Sequence, residues 1–75
     1  MQRDADIKQS LGSAIRQSRL DAGLTQEEVA FAAGISTTYL SDVERGKRNV
    51  SVINLVRIAE ALSITTAELI AHAKL

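Results

Sequence analysis

Apolar residues recur along this chain every three or four positions and nowhere alternate long enough to suggest a strand. Five helical segments follow from that spacing and from the residues that open and close it. The first runs from about Ile7 to Ala22, with Leu11, Ala14, Ile15 and Ser18 on one face and Gly23 suited to the left-handed position past its end. "LTQEEV" opens the second: Thr25 is the N-cap, Glu28 completes a capping box, and Leu24 and Val29 form the hydrophobic staple. Val29, Ala30 and Ala33 then make a narrow stripe of small residues that Gly34 ends. The third segment opens at Ser36, turns Leu40 and Val43 inward and closes at Gly46. Ser51 caps the fourth, where Leu55, Ile58, Ala59 and Leu62 recur at helical spacing. The fifth opens at Thr65 with Glu68 as a second capping box, and buries Leu69 and Ile70. The pattern predicts one all-α domain over residues 1–75, a compact five-helix bundle, with residues 1–6 frayed.

Composition narrows how such a bundle holds together. A 75-residue chain buries a small core, and the absence of cysteine removes disulfides and cysteine metal sites. Helix packing, dimerisation or both must serve instead. His72 reads as a surface residue near a helix C-terminus, and no metal or cofactor is expected. "MQRDADIKQS" lacks the apolar run of a signal peptide, and no uncharged apolar stretch approaches the roughly 20 residues of a membrane span. A soluble, cytoplasmic protein is expected, with no membrane partner.

Charge changes the picture through its distribution. Nine Lys and Arg balance nine Asp and Glu, a sum that does not suggest a nucleic-acid binder. Between Arg45 and Arg57, however, there are four positive residues and no acid. The acids gather at Asp4, Asp6, Asp21, Glu27, Glu28, Glu60 and Glu68. A basic patch on a neutral chain can still create a local field that attracts an anion.

The second and third segments carry the most specific signal. Ala30 permits close approach of the next helix, Gly34 supplies a tight turn, and Ile35, Leu40 and Val43 plug the angle between the helices. A helix-turn-helix needs this spacing. From Leu11 to Ile70, "LGSAIRQSRLDAG", the capping box, the turn glycine, "YLSDVERG" and "INLVRIAEAL" occur in an order that resembles the phage-repressor and Cro-type (XRE-like) helix-turn-helix family. The resemblance implies a lambda-repressor-like DNA-binding domain, with the helix-turn-helix over residues 25–45 and a C-terminal helix over 63–75 that serves dimerisation.

It also implies residue roles. Thr37, Thr38, Ser41 and Asp42 match base-reading positions in the major groove of double-stranded DNA. Gln26 matches a position that donates to a phosphate and braces the recognition helix. Lys47, Arg48 and Asn49 match a loop that follows the DNA backbone, where Ser36, Tyr39 and Arg45 are placed as well. Arg19 and Glu44 match an ion pair that ties the first helix to the end of the third. Short hydroxyls can donate or accept, and a Thr methyl can touch a thymine methyl, but they discriminate bases less sharply than Arg or Gln. Part of the specificity is therefore expected from loop contacts and DNA shape.

Several residues keep two readings. Tyr39 either packs its ring on the domain or reaches a phosphate or sugar. Asp42 either accepts from a cytosine amino group or pairs with Arg45 three residues on. Phe31 is expected to pack within the monomer, over the first or fourth helix, with a place in an interface as its second reading, and Ser63, where a glycine commonly ends the fourth helix, to leave that end less tightly turned. Spare apolar residues at Val50, Val52, Ile53, Val56, Ile64, Ile70 and Leu75 predict a twofold homodimer that reads two half-sites of a palindrome.

Small dimeric domains of this kind include controller proteins of restriction–modification systems, which the length and the "RNVS" loop match best. Autoregulating antitoxins and small phage repressors are the alternatives, and a helical protein-interaction module is the alternative of another class. No His–acid–nucleophile set or phosphate-binding glycine loop points to an enzyme. No small-molecule effector is expected. RNA polymerase is a further possible partner.

Overall fold

The computed structural model describes residues 3–75, in five α-helices: α1 (Asp4–Asp21), α2 (Gln26–Ala33), α3 (Thr37–Glu44), α4 (Val52–Ala61) and α5 (Thr66–His72). Four of them begin where a side chain satisfies an otherwise unpaired backbone N–H. Thr25 and Thr65 form complete capping boxes with Glu28 and Glu68. Ser36 and Ser51 accept from the N–H groups of Tyr39 and Asn54 at 3.0 and 3.1 Å. α1 has no side-chain cap; Asp4 and Asp6 in its first turn favour the positive end of the helix dipole. That helix starts three residues before the expected Ile7, and Asp4–Asp6 lie within it. The expectation of fraying falls partly on Met1 and Gln2, outside the described residues.

α1 packs against α3 and α5, α2 against α3 and α4, and α4 against α5. Ile15, Val29, Leu40, Val43, Ile58 and Leu69 are the largest fully buried side chains, one or two from each helix. The apolar stripes of all five helices therefore meet in one core. Gly34 ends α2 in the left-handed region, at φ 71°, and the Ile35 N–H then reaches the Ala30 carbonyl at 3.0 Å. That turn sets the angle between α2 and α3.

A second glycine sets the approach of α1. Gly12 is buried in the helix, and a Cβ there would run into the Val43 carbonyl oxygen and lie 2.8 Å from that of Glu44. Only a residue without a side chain lets α1 lie against the backbone at the end of α3. The C-terminus of α3 is thus seated directly on α1.

Two expectations are corrected. Phe31 does not pack within the monomer: it is 89% exposed on the outer face of α2, opposite the stripe of Val29, Ala30 and Ala33. The end of α4 is not loosened by the missing glycine. Ser63 adopts φ 59°, and the N–H groups of Ser63 and Ile64 bond the carbonyls of Glu60 and Ala59 at 3.0 and 3.1 Å. Ser63 takes the left-handed position at the steric cost that a glycine avoids.

Candidate nucleic-acid interface

With Leu40, Val43 and Glu44 buried, α3 turns positions 37, 38, 41, 42 and 45 away from the core. Helical spacing aligns 37, 41 and 45 in one row and 38 and 42 in the next. Thr38 and Arg45 are exposed, while Thr37, Ser41 and Asp42 are half-buried. The structure brings the four base-reading candidates of the sequence onto one short, polar surface. Ser36 caps the helix at its near end.

Beneath α3 lies a fully satisfied polar brace. Arg19 grips Glu44 with two parallel bonds, Nε to Oε2 at 2.8 Å and Nη2 to Oε1 at 3.0 Å. Its third nitrogen, Nη1, donates to the Leu24 carbonyl at 2.9 Å. The Gln26 amide donates to Glu44 Oε1 at 3.0 Å. The side chains of Arg19 and Glu44 are 10% and 2% exposed, so the pair is buried, and each carboxylate oxygen has a partner. The bond to Glu44 raises the Arg19 pKa above its ordinary value, with burial acting against it. One carboxylate thereby ties α1, the start of α2 and the end of α3 together. Gln26 braces the recognition helix through this contact.

On the outer surface, Asp42 Oδ1 accepts from Arg45 Nη2 at 2.6 Å, the local helix pair. Past α3, the Lys47 N–H bonds the Asp42 carbonyl at 2.9 Å, and Lys47, Arg48 and Asn49 are exposed. Tyr39 is half-buried and packs against the core. Its hydroxyl accepts from Asn54 Nδ2 at 3.2 Å, and the Arg48 guanidinium lies 5.0 Å from the centre of its ring.

A two-helix corner braced in this way, with a polar outer helix and a basic loop behind it, is the arrangement of a helix-turn-helix. The Helix-turn-helix family profile matches residues 15–69. The chain belongs to the helix-turn-helix family. Its relatives include the HTH-type transcriptional regulator y4dJ of Sinorhizobium fredii, 45% identical over 65 residues that span 87% of this chain and 84% of that protein. Control protein C.BamHI of Bacillus amyloliquefaciens is 39% identical over 66 residues, spanning 87% and 82% of the two. The restriction–modification controller protein C.AhdI of Aeromonas hydrophila has a similar structure, with a TM-score of 0.81 and 42% identity, covering 83% of this chain and 94% of that one.

This helix-turn-helix protein divides its spare apolar residues into two sets. Val50, Ile64 and Ile70 are half-buried against the core and already have partners within the monomer. Val52, Ile53, Val56 and Leu75 are exposed, at 74%, 67%, 39% and 46%. Leu20, 50% exposed, is a large apolar residue that the sequence did not single out for an interface, whereas the exposure of Phe31 leaves its second reading, a place in an interface, open.

Three contributors to the site escaped the sequence reading. Gly12 had a signal, because a glycine inside an amphipathic helix costs about 1 kcal/mol and marks a close backbone approach. Arg16 lines the groove between α1 and the helix-turn-helix together with Gln26, Ser41 and Arg45. Asn54, on α4, had no signal, since its partner Tyr39 lies in another helix. No described helix is long and apolar enough to cross a membrane. His72 is exposed at the end of α5, as expected, with its Nδ1 3.4 Å from Ser18 Oγ.

Proposed function

We propose that this chain is a sequence-specific, DNA-binding transcriptional regulator that acts as a homodimer in a restriction–modification system. The observation that carries the DNA reading is the position of the basic loop directly behind a braced, hydroxyl-rich helix. Thr37, Thr38 and Ser41 face the bases and supply short donors and acceptors at close range. Asp42 holds Arg45 through Oδ1 alone, which leaves Oδ2 to accept from a cytosine amino group while the remaining N–H groups of Arg45 reach a phosphate. Gln26, Ser36, Tyr39, Arg45, Lys47, Arg48 and Asn49 lie along the DNA backbone. Arg16 joins them, because it borders the same groove as Gln26, Ser41 and Arg45.

The restriction–modification role follows from the likeness to C.BamHI and C.AhdI, of whose chains this one spans 82% and 94%. A short regulator of this kind acts by occupancy: docked at a promoter, it blocks or recruits RNA polymerase. Exposed Val52, Ile53, Val56 and Leu75 support the dimer, to which the half-buried Val50, Ile64 and Ile70 would add whatever surface the core leaves open. Two copies related by a twofold axis present two recognition helices to half-sites about 34 Å apart.

Phosphate contacts release counterions, so binding must weaken steeply as salt rises. The test is the dissociation constant for duplex DNA across a salt series, for the wild type and for Arg45, Lys47 and Arg48 each replaced by Ala. Each replacement lowers the salt slope by about 0.9, one counterion-releasing contact. A flat salt dependence in the wild type overturns the reading. Replacements that act only through exposed apolar residues would point to a protein partner in its place.

A further inference from the structure

Tyr39, Arg48 and Asn54 belong to three different pieces of the chain: α3, the loop that follows it, and the first turn of α4. Asn54 is fixed by two bonds. Its backbone N–H is held by Ser51 Oγ at 3.1 Å, and its side-chain amide donates to the Tyr39 hydroxyl oxygen at 3.2 Å. The Tyr39 ring packs inward on the core and carries the Arg48 guanidinium on its face, 5.0 Å from the centroid. Arg48 itself is exposed.

From this we infer that Asn54, Tyr39 and Arg48 form a clasp that fixes the basic loop before DNA arrives, with Asn54 as a positioning residue that touches no DNA. The inference rests on the DNA-binding reading of that loop and adds what holds it. An exposed loop loses backbone freedom at each residue that DNA fixes, and this loss opposes binding. A loop already anchored to α3 and α4 loses less. The cation–π contact with the ring restrains the guanidinium to a place that a flexible arginine would otherwise have to find.

The hydrogen-bond direction has a second consequence. Because the Tyr39 oxygen accepts from Asn54, its own O–H proton is directed elsewhere and is free for a phosphate oxygen. Donation from Asn54 also polarises that O–H and strengthens the bond it gives. Asn54 thus acts on the DNA through Tyr39 as well as through Arg48.

The test uses the full chain and a mixed-sequence DNA duplex, whose binding is carried by phosphate contacts. Dissociation constants are measured across a salt series for the wild type, N54A, Y39F, R48A and the N54A/Y39F double variant. N54A weakens binding about fivefold, the size of one net hydrogen bond, and leaves the salt slope unchanged. R48A lowers the slope by about 0.9. In the Y39F background N54A has no further effect, because the bond it removes is already gone. In the free protein, the ring-current shifts of the Arg48 side-chain protons move toward unstructured values in N54A while the melting temperature holds.

A salt slope lowered in N54A makes Asn54 a direct contact and overturns the positioning role. Independent effects of N54A and Y39F, or Arg48 shifts unchanged in N54A, overturn the clasp. A slope unchanged in R48A strikes the DNA reading of the loop itself, a failure that the N54A data alone cannot produce.

Discussion

The underside of the recognition helix and the outer face of α4 are built on opposite principles. Under α3, the buried Arg19–Glu44 pair has both carboxylate oxygens engaged, with the half-buried Gln26 donating to one of them, and Gly12 brings the α1 backbone against the end of the helix. On α4, Val52 and Ile53 stand 74% and 67% exposed, with no partner among the described residues. The first region is complete in the monomer and fixes an orientation. The second is incomplete in the monomer and suits a second copy. A buried ion pair adds little net stability, since desolvation offsets the attraction, but it makes a wrong geometry expensive. An exposed apolar face costs the monomer nothing in geometry and stabilises only what covers it. The difference separates two requirements of a DNA reader: helix placement is set within each chain, and in the proposed dimer helix spacing would be set between chains.

The largest effect expected from breaking this contrast is at Glu44. Glu44→Ala strands a buried Arg19 and leaves the Gln26 amide without its acceptor, at a cost of about 3–5 kcal/mol. That is a large share of the roughly 5–10 kcal/mol available to a small domain, so the melting temperature falls sharply. An unchanged melting temperature would contradict a structural role for the pair. Gly12→Ala comes next. Alanine gains about 1 kcal/mol of helix propensity, but its Cβ meets backbone rather than a yielding side chain. The separation of α1 from α3 outweighs the gain, for a net loss of about 1–3 kcal/mol in denaturant unfolding. A stabilised variant would show that α1 does not need this approach.

On the other side of the comparison, Ile53→Asp leaves monomer stability within about 0.5 kcal/mol of the wild type. Sedimentation then shows one chain where the wild type shows two, and DNA affinity falls because one recognition helix acts alone. A variant that still dimerises moves the interface away from α4. The smallest effect concerns α5. The Thr65 N–H, then its hydroxyl, hold the Glu68 carboxyl below its ordinary pKa, with the charge on His72 acting the same way. A depressed folded-state value means that the contribution is complete above the unfolded carboxylate pKa and is lost as pH falls through the folded one. Glu68→Gln keeps the capping acceptor without the charge. It therefore melts below the wild type near neutrality, and the difference closes on acidification.

Much of the fold was legible because its signals are local. Thr25, Ser36, Ser51 and Thr65 announce helix starts through residues only three positions away. The Arg19–Glu44 pair was legible through the family resemblance, since nothing local relates residues so far apart. Phe31 misled because hydrophobicity predicts burial, whereas α2 is short and its buried side is filled by smaller residues. Ser63 misled because its turn is closed by backbone bonds that do not require glycine. Tyr39 and Asp42 stayed double in the sequence because both readings are chemically sound. In the free chain Asp42 holds Arg45, and Tyr39 packs inward while its hydroxyl accepts from Asn54. Asn54 was invisible because its role depends on α4 lying beside α3, which is a product of the fold.

The central claim is that two copies of a fixed recognition helix read one symmetric site. Selection of bound sequences from random duplex DNA, with the mass of each complex measured in the same experiment, tests it most directly. The account predicts a palindrome whose half-sites lie about one helical turn apart, bound by two chains. Recovery of an asymmetric site bound by a single chain, or no enrichment at all, would contradict it.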